Sequence, residues 1–288
     1  KVLLLEAGKN DNYLWIHIPI GYLFTMNNPR TDWCFRTEEE AGLNNRVLDY
    51  PRGKVLGGCS AINGMIYMRG QARDYDQWRQ MGNQGWGWDD ILPYFLKSQD
   101  QIRGASEFHG TGGEFRVEDP RLSWEILDAF RNAAAEIGIP KTNDFNQGNN
   151  EGCGYFQVNQ TRGVRWTAAK GFLKPIMQRP NLTVLTEAHA TGITMEGKRC
   201  SGLTLVHKNK PAKAQVTREL IISTGSIGTP QLLQLSGIGA ASDIKKIGIN
   251  PIHNLPGVGE NLQDHLQIRA VFKVKNTKTL NDRASSLF

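Results

Sequence analysis

The chain has 288 residues, 39% of them apolar, enough for one large or two modest domains with a proper core. Its 34 Lys and Arg against 28 Asp and Glu leave a formal charge of +6, but the basic residues are scattered rather than gathered into arms, which argues against a nucleic-acid partner. No apolar run approaches the roughly 18 residues of a membrane span, and the first residues lack the order of a signal peptide, so the sequence predicts a cytoplasmic protein, or one peripheral at the inner membrane.

The chain opens on Lys1-Val2-Leu3-Leu4-Leu5-Glu6-Ala7-Gly8, which reads as a buried parallel strand closed by an acid and a turn residue. In a dinucleotide fold a strand before it would carry G-x-G-x-x-G, with the acid about 20 residues later on a ribose hydroxyl. The acid is here and the glycine turn is not. At the other end the sequence stops on Leu287-Phe288 without a capping glycine or polar tail, so both ends read as cut. Residues 11–50 show no sustained period and read as an irregular surface excursion, a possible lid. A capped amphipathic helix is predicted from Trp88 to Lys97, with Pro93 near its first turn, and another from Trp124 to Ile137, stopped by Gly138-Ile139-Pro140.

Beyond Asn181 the pattern changes. Leu182 to Leu185, Ala190 to Met195 and Gly202 to Val206 read as a strand meander. Glu219 to Gly225 reads as a second buried strand, and Thr229 to Leu235 as a helix with proline near its start. A strand, a glycine turn and a helix N-terminus together suit a phosphate. Gln267 to Val274 alternates apolar and polar residues like a strand with one wet face. The four cysteines, Cys34, Cys59, Cys153 and Cys200, form no C-x-x-C pair, which excludes a zinc knuckle or redox dithiol and predicts free, mostly buried thiols in a reducing compartment.

The densest chemistry lies in Pro51-Arg52-Gly53-Lys54-Val55-Leu56-Gly57-Gly58-Cys59-Ser60-Ala61-Ile62-Asn63-Gly64. Paired glycines let backbone approach a ligand closely, and Ser60 and Asn63 offer hydrogen bonds among small groups. Spacing alone leaves a flat or anionic ligand and a plain structural loop evenly balanced. Neither Thr224-Gly225-Ser226-Ile227-Gly228 nor Gly58-Cys59-Ser60-Ala61-Ile62 completes G-x-S-x-G, so a hydrolase elbow is excluded. Trp78, Trp86 and Trp88 are expected to pack around the following helix rather than stack on a sugar or base.

The run 53–63, continuing to Arg69-Gly70 and Asp74-Tyr75-Asp76, resembles the first signature of the glucose-methanol-choline oxidoreductases. Residues 225–239 resemble the family's second signature, and Leu255-Pro256-Gly257-Val258-Gly259-Glu260-Asn261-Leu262-Gln263-Asp264-His265 resembles the stretch that follows it. Within the family, residues 62–70 are most similar to choline dehydrogenases and related bacterial alcohol dehydrogenases.

The resemblance implies an α/β fold, with a doubly wound, Rossmann-like FAD-binding domain and a partial α+β substrate domain. The first would take residues 1–104 and 161–267, and the second residues 105–160 and the start of a sheet at 268–288. It makes Glu6 the acid on the adenosine ribose and puts Val55, Gly57, Gly58, Ser60, Asn63, Gly64 and Met65 along the pyrophosphate and flavin. Ala190 would meet the adenine through its backbone, and Thr224 and Gly225 would line the same FAD. Some members tether FAD through a histidine just before the matched asparagine; Ile62 stands there, which implies noncovalent FAD.

The implied reaction is oxidation of a primary alcohol, choline-like or aliphatic, by hydride transfer to flavin, with a quinone or other carrier as electron acceptor. A family oxidase, a hydroxynitrile lyase or an inactive partial product are the alternatives. The family's catalytic pair, a histidine base with a second histidine or an asparagine, is expected beyond Phe288. His265 beside Asp264 is no dyad on sequence adjacency alone. His17, His109, His189, His207 and His253 show no metal spacing and are expected in core or surface roles.

Overall fold

In a computed structural model of the chain, residues 1–265, 267–279 and 281–282 are described. The cut end inferred at 283–288 lies outside them. The chain divides into two compact units, a central one of Asp11–Gln178 with Val271–Phe288, and a flanking one of Lys1–Asn10 with Arg179–Ala270.

In the central unit, residues 11–50 form short helical turns and a two-residue antiparallel pairing of Phe35–Arg36 with Asp49–Tyr50. Buried Asp32 ties this irregular stretch down. Its carboxylate accepts hydrogen bonds from the backbone N–H groups of Asn27, Cys34 and Arg52, which replace the ladder bonds the segment lacks. Helix α1 (Ala72–Gln80) is opened by Asp74, which accepts from Gln71 N–H. Helix α2 (Trp88–Ser98) is opened in the same way by Asp90 and Gly87 N–H. Pro93 sits inside α2 rather than in its first turn, and the helix runs on past the lost backbone donor. Tyr75 meets Trp78, Trp88 and Phe95 at ring centroids of 5.5–6.0 Å, so the tryptophan-rich stretch packs α1 against α2. Helix α3 (Glu125–Glu136) ends before Gly138, whose φ of 90° reverses the chain.

A buried polar knot pins the middle of this unit. Gln99 Oε1 accepts from Arg69 Nη2 at 2.8 Å and from Gly110 N–H at 3.2 Å, and it also faces His109 Nδ1. His109 Nε2 meets the Asp144 carboxylate, and Asn146 Oδ1 accepts from Arg69 N–H. Each polar group in this dry region therefore has a partner, except Gln99 Nε2.

In the flanking unit, β1 (Val2–Leu5) pairs in parallel with β2 (Leu182–Leu185), Val2 opposite Leu182 and Leu5 opposite Leu185. The opening strand is thus parallel as expected but not buried on both faces: Val2 and Leu3 are exposed, because among the described residues β2 is its single ladder partner. Strands β3 (Ala188–Glu196), β4 (Arg199–His207) and β5 (Lys210–Gln215) make an antiparallel sheet of order β5-β4-β3. The meander therefore begins at Ala188 and includes a strand, β5, that its Lys-rich sequence concealed. Lys208 and Asn209, both with positive φ, form the two-residue turn between β4 and β5. Ala188, Leu203 and Leu205 make the core, with Leu5, Leu185, Ala190 and Leu220 packed on it.

Two expected strands are absent among the described residues. Glu219 to Ser223 joins no ladder, Thr224 and Gly225 open the next helix, and Ile221 is 77% exposed. Gln267 to Val274 joins no ladder, and Val271 is 93% exposed. An apolar or alternating pattern suits a strand, but only a neighbouring edge makes one. Helix α4 (Gly225–Leu235) starts four residues before the expected Thr229 and carries Pro230 inside. All four cysteines are free; Cys59 is exposed and the others half-buried, not the mostly buried set expected.

Leu205→Ala should destabilise the flanking sheet by about 2–5 kcal/mol, read as a lowered denaturation midpoint for that unit. Burial pushes the Asp144 carboxyl up, but hydrogen bonds from His109 and Asn146 N–H outweigh it and hold the group below its ordinary value. A depressed carboxyl stabilises above its unfolded pKa and loses that contribution as pH falls through the folded value. Urea midpoints should therefore fall below about pH 4, and Asp144→Asn should flatten that fall.

Candidate cofactor site

The residues expected at a cofactor fall in both units, and each set has its own local logic. In the central unit, the 53–65 segment is clamped before it turns. Lys54 N–H donates to Thr31 O at 2.8 Å, and Val55 is buried with Ile16, Ala61 and Ile62. Gly53 is forced by packing, because a Cβ there would lie 2.3 Å from the Gly58 carbonyl. Gly57 and Gly58 then take φ of +97° and +55°, the left-handed region that side chains resist. They lead into a 3-10 turn over Gly58–Ala61.

The loop is closed by hydrogen bonds. Ser60 Oγ donates to Gly57 O at 2.6 Å and accepts from Ala168 N–H at 2.9 Å. Asn63 Oδ1 accepts from Met65 N–H at 3.0 Å, which supports the positive φ of Met65. Val55, Met65 and Ile62 point into the core, so what these residues can offer a ligand is backbone. Asn63 and Gly64 are exposed, and added Cβ atoms at Gly58 and Gly64 would meet nothing within 4 Å. One side of the loop is open.

The support beneath was not anticipated. A hairpin turning at Arg162 and Gly163 places Arg165 opposite Gln160. Arg165 is 0% exposed. Its Nη1 donates to Asn63 O at 2.6 Å, to Asn63 Oδ1 at 2.9 Å and to Ser60 O at 3.3 Å. Its Nη2 reaches Pro19 O at 3.5 Å, and its buried Nε has no hydrogen-bond partner among the described residues. Burial alone pulls this guanidinium down to about 10, still charged at neutral pH.

Lys170 Nζ donates to Arg165 O, and burial followed by the charge of Lys174 lowers the Lys170 ammonium. Lys174 lies 2.8 Å from the buried Asp11 carboxylate, a charge contact rather than a directed hydrogen bond. Burial, then the Lys170 charge, lowers His17. Nothing in the pattern Val164-Arg165-Trp166 distinguishes this arginine from a surface one.

In the flanking unit, Glu6 closes β1. Its carboxylate accepts from Gly8 N–H at 2.7 Å, and its backbone links to Leu185 and Ala188. Ala190 lies in β3 opposite Leu205, with its side chain against the core. Thr224 precedes α4 and pairs its hydroxyl with Thr229 at 3.0 Å. Gly225 begins the helix at φ +83° with open space about its Cβ.

Ser236 Oγ donates to Leu232 O and accepts from Ile193 N–H, which fastens α4 to β3. An open groove of about 760 Å³ runs along α4, lined by Ser226, Pro230, Gln234 and residues 257–263. His265 is exposed, and its backbone N–H donates to Asp264; that contact orients no ring.

The residues present fit a flat, anionic cofactor. Glycine backbone is open where a ligand needs close approach, and a buried guanidinium lies under it with no acid paired to it among the described residues.

The model of the GMC oxidoreductase family matches residues 16–267, and the chain belongs to that family, whose flavoprotein character implies FAD. More particularly, it is 43% identical over 271 residues to an alcohol dehydrogenase (acceptor) of Pseudomonas putida, covering 93% of this chain and 49% of that protein. It is 42% identical over 275 residues to the mitochondrial choline dehydrogenase of Homo sapiens, covering 93% and 46%. Among solved structures it is similar to pyridoxine 4-oxidase from Mesorbium loti, with a TM-score of 0.84, 32% identity and coverage of 89% and 50%. The chain spans about half the length of the relatives it matches. The α/β fold is that of these neighbours.

Gly53→Ala should cost about 1–3 kcal/mol, since the added methyl must push the Gly58 backbone aside. A lowered thermal midpoint of the central unit checks it.

Proposed function

We infer that the chain binds FAD noncovalently and is the cofactor-binding part of an enzyme that oxidises a primary alcohol, choline-like or aliphatic, to the aldehyde. The observation that carries this is the 57–65 loop, with two glycines in left-handed conformation, an open side and buried Arg165 beneath. Val55, Gly57, Gly58, Ser60, Asn63, Gly64 and Met65 would hold FAD from the central unit. Glu6, Ala190, Thr224 and Gly225 would hold it from the flanking unit. Residues 1–104 and 161–267 would form the FAD-binding domain, with 105–160 and the segment from 268 belonging to the substrate domain.

When bound, flavin supplies the hydride acceptor; the loop's own task is to orient it and exclude water. Ile62, where a tethering histidine would stand, packs in the core with Ile16 and Val55, which supports noncovalent attachment. The names of the alcohol and choline dehydrogenase relatives support the substrate class and an acceptor such as a quinone or other carrier. Among the described residues no helix is long and apolar enough to cross a membrane, which is compatible with a cytoplasmic or peripheral place. A second reading, an oxidase passing electrons to oxygen, is favoured by the likeness to pyridoxine 4-oxidase.

Purified protein should be yellow, and denaturation should release FAD into the filtrate; flavin retained on the denatured chain would overturn noncovalent binding. In the complete enzyme, choline or aliphatic alcohols should bleach the flavin and reduce an artificial acceptor. Peroxide formed in air would favour the oxidase. Flavin that no alcohol bleaches would remove both.

A further inference from the structure

We propose that Arg165 is the cofactor-positioning residue of the 57–65 loop, acting through its buried positive charge as well as its hydrogen bonds. The proposal rests on the FAD reading above and names the residue that gives the loop its anion preference.

The argument begins with an electrostatic imbalance. A guanidinium taken wholly out of water is strongly disfavoured unless a carboxylate and a full set of acceptors meet it. Arg165 is fully buried, its Nε has no acceptor, and among the described residues no carboxylate pairs with it. Its neighbours worsen the balance. Lys170 donates to the Arg165 carbonyl, and the nearby acid, Asp11, is engaged by Lys174. Arg165 Nη2 also reaches Pro19 O at 3.5 Å, so the fork ties several segments together, yet none of these carbonyls carries the countercharge that a buried cation requires.

The imbalance lies directly under the loop. One nitrogen, Nη1, holds both the carbonyl and the side-chain oxygen of Asn63 and reaches Ser60 O. Asn63 in turn holds Met65 N–H. With these oxygens drawn inward to the guanidinium, the negative ends of the peptide dipoles are taken up on the buried side. The loop's exposed side at Gly58 and Gly64 is left with space and a net positive field. That field is what a pyrophosphate dianion requires, and such a dianion held on the open side would supply the missing countercharge. Arg165 is thus balanced by the cofactor rather than by the protein.

The test compares FAD affinity, by flavin fluorescence, and apo melting temperature in the full chain and in three variants. Arg165→Met keeps the volume and removes the charge; FAD should bind about tenfold or more weakly, the effect of losing a charge-assisted contact. Arg165→Lys keeps the charge, though not the fork, and should restore affinity to within roughly threefold of the parent.

Asn63→Asp preserves the shape and both acceptor contacts while pairing a carboxylate with the guanidinium. Its apo melting temperature should not fall, yet its FAD affinity should drop about tenfold or more. This variant keeps the test valid if Arg165→Met does not fold. Arg165→Lys as weak as a folded Arg165→Met, or Asn63→Asp binding FAD like the parent, overturns the proposal while leaving the FAD reading intact. No FAD binding by the parent chain overturns that reading and this inference with it.

Discussion

The hydrogen bonds from buried Arg165 to Asn63 and Ser60 fix the loop on which the central unit's binding surface depends. Asn63 Oδ1 accepts from Met65 N–H in a local turn and also from Arg165 Nη1, which ties that turn to the buried guanidinium. Ser60 is held a second way, between Gly57 O and Ala168 N–H. The loop is therefore shaped from below by residues about a hundred positions later in the chain. Its glycines supply freedom, and the later segment removes it. Such long-range bracing leaves the backbone preorganised, so ordering costs are met on folding rather than on binding.

The two units place their remaining residues by different means. In the flanking unit regular structure does the work: β1 and β2 fix Glu6, the antiparallel sheet fixes Ala190, and α4 begins at Gly225. In the central unit regular structure is sparse, and buried polar side chains substitute for it. Asp32 gathers three backbone donors, Gln99 and Asp144 gather Arg69 and His109, and Arg165 gathers carbonyls. Side chains that replace ladder bonds in this way make the fold intolerant of single polar losses, because each leaves several buried groups unmet. The family match, over residues 16–267, takes in parts of both units.

Several elements were legible because their signals are local. Acids at the start of α2, the glycine after α3, and the short β-rich runs of the meander all act within a few residues, whereas α1 was not read from the sequence. The failures have a common physical source. Glu219 to Gly225 and Gln267 to Val274 carry strand patterns, but strand formation needs an edge to pair with, and a single segment's pattern does not encode one. Strand β5 escaped notice for the complementary reason: Lys210, Pro211 and Lys213 read as surface, yet pairing with β4 makes it a strand. Arg165 was invisible because burial of a charge is a property of the whole packing.

By itself the sequence determined the glycine-rich loop, the family signatures around it and in 225–239, and with them the class of cofactor. These follow from residue identities at fixed short spacings, and backbone freedom at Gly57 and Gly58 is intrinsic to glycine. Only the tertiary structure decided which side of that loop is open and what charge lies beneath it. Those depend on a hairpin from 160–165 folding back under residues 57–65, and a chain meets itself at such a distance only once it is packed.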